Sequence, residues 1–163
     1  MSSLIPHDHE SCVSKAVRTA EHLCMARGVR LTPLRRKVLE LIWDSHKAAK
    51  AYDLLERIKP FEYAAKPATV YRALEFLMEQ GLIHRVESLN AFIGCVCSER
   101  QHEQLLLICK RCEEIEERPA PEVMNALTWE IVRAGFVVHH KAIEVHGICA
   151  RCIEEERDVF PDT

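Results

Sequence analysis

No run of about 18 apolar residues occurs in the 163-residue chain, so no helical membrane span is expected. The opening residues, MSSLIPHDHESC, carry neither the basic n-region nor the apolar h-region of a secretory leader. A cytoplasmic location follows as the expectation, and with it a reducing environment in which disulfides are rare. The eight cysteines and nine histidines therefore read as metal ligands or small buried residues rather than as a disulfide framework. The H-E-x-x-H and H-x-E…P-C-x-x-C patterns of zinc hydrolases are also missing, as are internal repeats and low-complexity tracts. A zinc hydrolase with Glu117 as a base beside an open metal is the competing enzyme reading, and these gaps count against it. Neither an enzyme nor a small-molecule substrate is expected.

What is present is divided by charge. Residues 14–86 carry 14 Lys/Arg against 8 Asp/Glu, a net of +6, whereas residues 87–163 carry 8 against 15, a net of −7. Such a division suits a module that meets a polyanion joined to one that does not.

The basic half has helical periodicity. Residues 14–27 place Ala16, Val17, Ala20, Leu23 and Cys24 on one face, with Gly28 as a stop signal. In LTPLRRKVLELIWDS, Thr32 is suited to cap a helix and Pro33 to open it, with Leu34, Val38, Leu41 and Ile42 forming the apolar stripe. AYDLLERI is a short third helix, and KPATVYRALEFLMEQG a fourth that ends before Gly81. In the fourth, Val70, Leu74, Leu77 and Met78 face inward, while Thr69, Tyr71, Arg72 and Glu75 lie to the sides or outward. The period then switches to alternation in LIHRVES and AFIGCVC, two strands expected to meet through a tight turn at Leu89-Asn90. Helices followed at once by a hairpin fit an N-terminal winged helix-turn-helix, mainly α with a β-hairpin wing.

The acidic half reads as α+β. QLLLICK and EEIEER are strands on either side of Cys109–Cys112, and a helix is expected near 121–134. FVVHHKAIEVHGIC is expected as one long strand, and EEERD at 154–158 as a frayed, solvated end. The domain division expected is 1–88 for the winged helix, 89–103 for a hinge with the wing end, and 104–163 for an α+β dimerisation and zinc-binding domain.

Two C-x-x-C pairs, Cys109/Cys112 and Cys149/Cys152, are separated by 36 residues, room for strand, helix and strand. Together they supply four thiolates, which suits a closed tetrahedral zinc with no position left for water, a structural and not a catalytic site. Redox chemistry would require a C-x-x-C that opens a helix after a strand. Lys110-Arg111 and Ala150-Arg151 are instead expected inside two separate turns. Among the other thiols, Cys24 reads as a small helix-core residue, Cys12 lies near the chain end, and Cys95 and Cys97 are two apart on an extended segment. His84, Cys95, His102 and Glu117 could make a second, mixed site. By spacing alone a wing histidine is more often a surface or packing residue, and Glu117, in an acidic run, is by default a solvated carboxylate.

The segment AYDLLERIKPFEYAAKPATVYRALEFLMEQGLIHRVESLNAFIGC, with RGVRLTPLRRKVLELI before it and HGICARC after it, resembles the ferric uptake regulator family and, within it, the zinc uptake regulators. The likeness extends over roughly residues 14–152. It implies a winged helix, a hinge, a C-terminal dimerisation domain and zinc-activated repression by a homodimer on double-stranded operator DNA. It also implies two zinc ions per subunit: a structural one at Cys109, Cys112, Cys149 and Cys152, and a regulatory one at His84, Cys95, His102 and Glu117. The base-reading positions implied are Tyr52 and Arg72, with Thr69 and Tyr71 beside them; Arg35, Arg36 and Lys15 are suited to phosphates. The histidine-rich run of the iron and manganese branches is absent from SERQHEQLLLIC. That argues against iron sensing, although a same-fold sensor of peroxide or another metal is the alternative. His139, His140 and His146 are expected on the long strand as accessory ligands or as part of a half-exposed face.

Overall fold

The computed structural model describes residues 9–45, 47–96, 104–139 and 141–159. Contacts divide the chain into two units, Met1–Arg100 and Gln101–Thr163.

The first unit runs α1 (His9–Ala26), α2 (Pro33–Trp43), α3 (Ala51–Ile58), α4 (Pro67–Glu79) and a hairpin of β1 (Ile83–Val86) with β2 (Ala91–Gly94). α1 begins five residues before the expected 14–27 segment and carries Cys12 on its first turns. Its end is set by Gly28 at φ +67°, where the Val29 amide reaches the Cys24 carbonyl at 3.0 Å. That left-handed stop repeats at Gly81 (φ +66°), with Leu82 N bonded to the Leu77 carbonyl at 2.9 Å. Thr32 caps α2 as expected, accepting the Arg35 amide with Pro33 in the first turn. Val38, Leu39 and Ile42 are the buried side chains of α2, and Leu34 and Leu41 pack at the margin. They meet Leu54, Leu55 and Ile58 of α3 and Val70, Ala73, Leu74, Phe76 and Leu77 of α4 in one core. Each fully buried aliphatic side chain there contributes about 1.5–3 kcal/mol of transfer free energy.

The wing differs from the tight two-residue turn expected. Its register pairs Val86 with Ala91, so four residues close the loop. Glu87–Leu89 form a 3-10 turn and Asn90 adopts the left-handed region (φ 47°, ψ 49°), which asparagine tolerates well. The Arg85 guanidinium donates to Asn90 Oδ1 at 3.0 Å and holds the loop. Ala49 bridges to Phe92 with backbone bonds of 2.8 and 2.9 Å, tying the segment before α3 to the wing.

The second unit is a three-stranded sheet in the order β4-β3-β5, with α5 (Pro121–Arg133) and α6 (Ala150–Val159). The central β3 (Gln104–Cys109) pairs antiparallel with β4 (Ile115–Arg118) and parallel with β5 (Ala142–Gly147). The long strand expected from residue 136 is shortened to six residues, matching β3, its one neighbour among the described residues, which is also six residues long. Phe136 to His139 precede the strand, and His140 lies outside the described residues. The acidic tail is helical rather than frayed. Arg151 pairs with Glu114 at 2.9 Å and with Glu155 one turn on, while Arg111 reaches Glu156 at 3.6 Å. These contacts neutralise part of the acidic run and favour the helix.

Candidate metal centres and nucleic-acid surface

The parallel register of β3 and β5 brings the two cysteine pairs together. Cys109 ends β3 opposite Gly147, so Cys149 follows two residues beyond its partner strand position. Between Cys109 and Glu114 the chain turns back on itself: Glu113 N bonds to the Cys109 carbonyl and Cys109 N to the Glu114 carbonyl, both at 3.0 Å. Lys110 N crosses to the Gly147 carbonyl at 2.8 Å and fixes one turn against the other. The ligand atoms of Cys109, Cys112, Cys149 and Cys152 all lie within 4.8 Å of one another. Cys109 Sγ is 3.9 Å from Cys152 Sγ, and Cys112 Sγ is 3.8 Å from Cys149 Sγ. A regular tetrahedron with zinc–sulfur bonds of about 2.3 Å has edges of about 3.8 Å, whereas a disulfide needs about 2.05 Å. The donor set fits zinc.

The protonation chemistry agrees. Backbone amides aimed at the Cys109 sulfur, first that of Cys112 and then that of Cys149, push its thiol down to about 6. Burial, reinforced by the neighbouring sulfurs, pushes Cys152 up to about 12, and burial also raises Cys112. One sulfur ionises readily while two resist in the absence of a cation, and a divalent ion among them reverses that penalty. Arg111 donates to the Cys152 carbonyl at 2.8 Å, holding the second turn from the first.

One sequence expectation is corrected at this centre. Ala150 and Arg151 do not sit in a turn: they begin α6, with only Ile148 and Cys149 between it and the end of β5. The second C-x-x-C thus opens a helix after a strand, the context that redox pairs use. What distinguishes it is that each of its sulfurs lies against one of the first pair, in a four-sulfur cluster.

In the first unit, His84 and Cys95 lie on one face of the wing. His84 pairs with Ile93 and Cys95 follows two residues later, its amide bonded to the Leu82 carbonyl at 3.0 Å. Ligand atoms of the two residues come within 4.8 Å. Both are buried, and His84 is the only polar or charged side chain in that class among the described residues. Burying an imidazole and a thiol side by side is costly unless they share a partner. In the second unit Glu117 is half-buried on β4, opposite Leu106. His102 and Cys97 lie outside the described residues. His139 and His146 are both exposed, only the latter on a strand.

The residues expected to meet DNA separate into two groups. Tyr52 and Tyr71 are 70% and 51% exposed, and Arg72 and Lys15 are exposed as well. Thr69 is half-buried, its hydroxyl accepting the Lys66 amide at 3.4 Å at the start of α4. Arg35 stacks 3.6 Å over the Phe76 ring and donates to the Arg30 carbonyl at 2.7 Å. Arg36 is paired with both Glu21 and Glu40. These two arginines therefore tie α1, α2 and α4 together, a role no spacing pattern signals. Sequence reasoning also passed over Phe61 and Tyr63, exposed by 52% and 96%, and Trp43, whose ring lies against Gly94.

The ferric uptake regulator family profile matches residues 26–146. The zinc uptake regulation protein of Escherichia coli (strain K12) is 42% identical over 144 residues, covering 88% of this chain and 84% of that protein. The peroxide operon regulator of Bacillus subtilis (strain 168) is 28% identical over 131 residues, 79% of this chain and 88% of that one. A zinc uptake regulator solved in complex with zinc and DNA superposes with a TM-score of 0.84 at 41% identity, covering 88% of this chain and 97% of its own. The chain belongs to the ferric uptake regulator family.

Proposed function

We propose that this chain is a zinc-responsive transcriptional repressor, a homodimer that binds operator DNA when its sensing site is loaded and so controls zinc uptake and homeostasis genes. The observation that carries the reading is the coexistence of a four-thiolate cluster in one unit with a buried His84–Cys95 pair on the wing of the other. The kinship to zinc uptake regulators at 41–42% identity supports it, and the peroxide regulator is more distant at 28%. The protein is not an enzyme, and its place is the cytoplasm, where its DNA is.

In this reading the chain works as a winged helix over 1–88, a hinge with the wing end over 89–103, and a dimerisation domain over 104–163. Cys109, Cys112, Cys149 and Cys152 hold the structural ion. His84 and Cys95, joined by His102 and Glu117, hold the regulatory one, giving two zinc ions per subunit. Zinc held by this set would supply the chemical difference between the two DNA-binding states. One thiolate with imidazoles and a carboxylate suits zinc better than oxygen-preferring cations. Tyr52 and Arg72 read bases, with Thr69 and Tyr71 beside them and Lys15 on the backbone. Arg35 and Arg36 contribute charge while bracing the helices. Exposed apolar side chains of the second unit, among them Trp129, Val132, Phe136, Val137 and Ile148, are available to the partner subunit. Dimer symmetry then sets two copies of α4 into major grooves about 34 Å apart. Moving the DNA-competent population from about 1% to about 99% takes roughly 5.5 kcal/mol of differential metal affinity, summed over coupled sites.

The test is DNA binding against buffered free zinc for wild type and Cys95→Ser, with the four-thiolate site kept loaded. The expected result is a switch in wild type that the variant lacks. Equal binding by both at every zinc level would remove residues 84–117 from the switch.

A further inference from the structure

All three tyrosines of the chain fall within 20 residues: Tyr52 on α3, Tyr71 on α4, and Tyr63 on the turn between them. None is buried, and Tyr63 is 96% exposed, with Phe61 half-exposed two residues earlier. An aromatic ring left almost wholly in water contributes nothing to the core, so packing does not account for it.

The turn that carries Tyr63 is ordered by its own backbone. The Phe61 and Glu62 amides both donate to the Ile58 carbonyl, at 2.8 and 2.9 Å, and the Ala65 amide to the Glu62 carbonyl at 3.0 Å. Pro60 fixes one φ angle ahead of them. The ring is thus presented on a structured loop, four residues before Pro67 opens α4. Preorganisation of this kind lowers the entropy lost on contact.

The surrounding charge selects the partner. Residues 47–72 hold six Lys/Arg against three Asp/Glu. Arg57 is paired with Asp44 and Lys59 with Glu56. Lys66 and Arg72, which bracket the start of α4, have no ion pair among the described residues. A helix-turn-helix enters the major groove with the first residues of its second helix, so the turn ahead of that helix meets the phosphates bordering the groove.

We infer that Tyr63 is a DNA-backbone contact, its hydroxyl donating to a phosphate oxygen of the operator strand beside the base pairs that α4 reads. This rests on the DNA-binding reading above and adds to it a contact outside the helices. The hydroxyl is neutral, so it adds affinity and register without reading sequence and without displacing a counterion.

The experiment uses the full-length zinc-loaded protein and a duplex that the wild type selects from a randomised library. Tyr63→Phe removes only the hydroxyl, at a position too exposed to affect folding. It is expected to bind about 3- to 10-fold more weakly on every duplex, the range for one hydrogen bond. Base preference and the slope of affinity against salt are expected to stay unchanged, whereas Lys66→Ala should lower that slope by about one unit. Affinity of Tyr63→Phe within twofold of wild type, or a changed base preference, overturns the inference while leaving the repressor reading intact. Failure of the wild type to enrich any duplex overturns that reading and the inference with it.

Discussion

Replacing Cys152 with serine should unfold the second unit and leave the first standing. The asymmetry comes from how little apolar material the second unit encloses. Its buried hydrophobic residues among those described are Leu106, Ile108, Met124, Cys109 and Cys152, two of the five being members of the four-sulfur cluster proposed to hold zinc. The three that are not ligands contribute about 5–9 kcal/mol in all, at about 1.5–3 kcal/mol per side chain. A structural zinc in a small domain contributes about 10–16 kcal/mol of apparent free energy. The metal term is therefore the larger one, and a unit of this size without it has the thin core that usually needs a staple. The first unit, with helices packed around Leu39, Leu54, Leu74 and Leu77, has no such dependence. Calorimetry at fixed subunit concentration, which holds the dimer contribution constant, should record loss of one unfolding transition. Metal analysis should record loss of one zinc per subunit. Retention of full zinc content and both transitions in Cys152→Ser would refute the argument, because the sulfur cluster would then be neither a metal site nor the stabiliser of its unit.

Two further outcomes follow from the first unit. Arg72→Ala should cost about 1–3 kcal/mol in operator binding and relax sequence choice at one position, checked by competition with single-base variants of a selected duplex; an unchanged preference at every base would remove Arg72 from the readout. Leu74→Ala, at a fully buried position of the first unit's core, should destabilise that unit by about 2–5 kcal/mol, seen as a lowered denaturation midpoint with an unchanged slope.

Much of this was legible from local chemistry. Thr32 and Pro33 mark the start of α2 because a cap and a donorless first residue act within one turn of chain. Gly28 and Gly81 mark helix ends for the same reason. The cysteine pairs identify their own centre, since thiolates in that spacing leave few alternatives. What escaped was non-local. The length of β5 matches that of β3, which lies more than 30 residues away in sequence. The helical state of residues 154–158 draws on Arg111, which reaches Glu156 from the turn between β3 and β4. Nothing in its own helix reveals that Arg35 lies over the Phe76 ring. The wing loop was misjudged by two residues, because register and not composition decides where a hairpin closes.

The contact of Trp43 with Gly94 has a consequence of another kind. A Cβ added at residue 94 would lie 2.2 Å from the indole, so ring and strand already share the same space with no slack. The next residue is Cys95. Any displacement of this strand must carry the ring, and with it the C-terminal turn of α2, as a gear tooth carries its neighbour. The chain's other tryptophan, Trp129, is 69% exposed in the other unit. With Trp129 changed to phenylalanine, the remaining indole is a single emitter seated at the wing, and its fluorescence follows the strand in real time without any label.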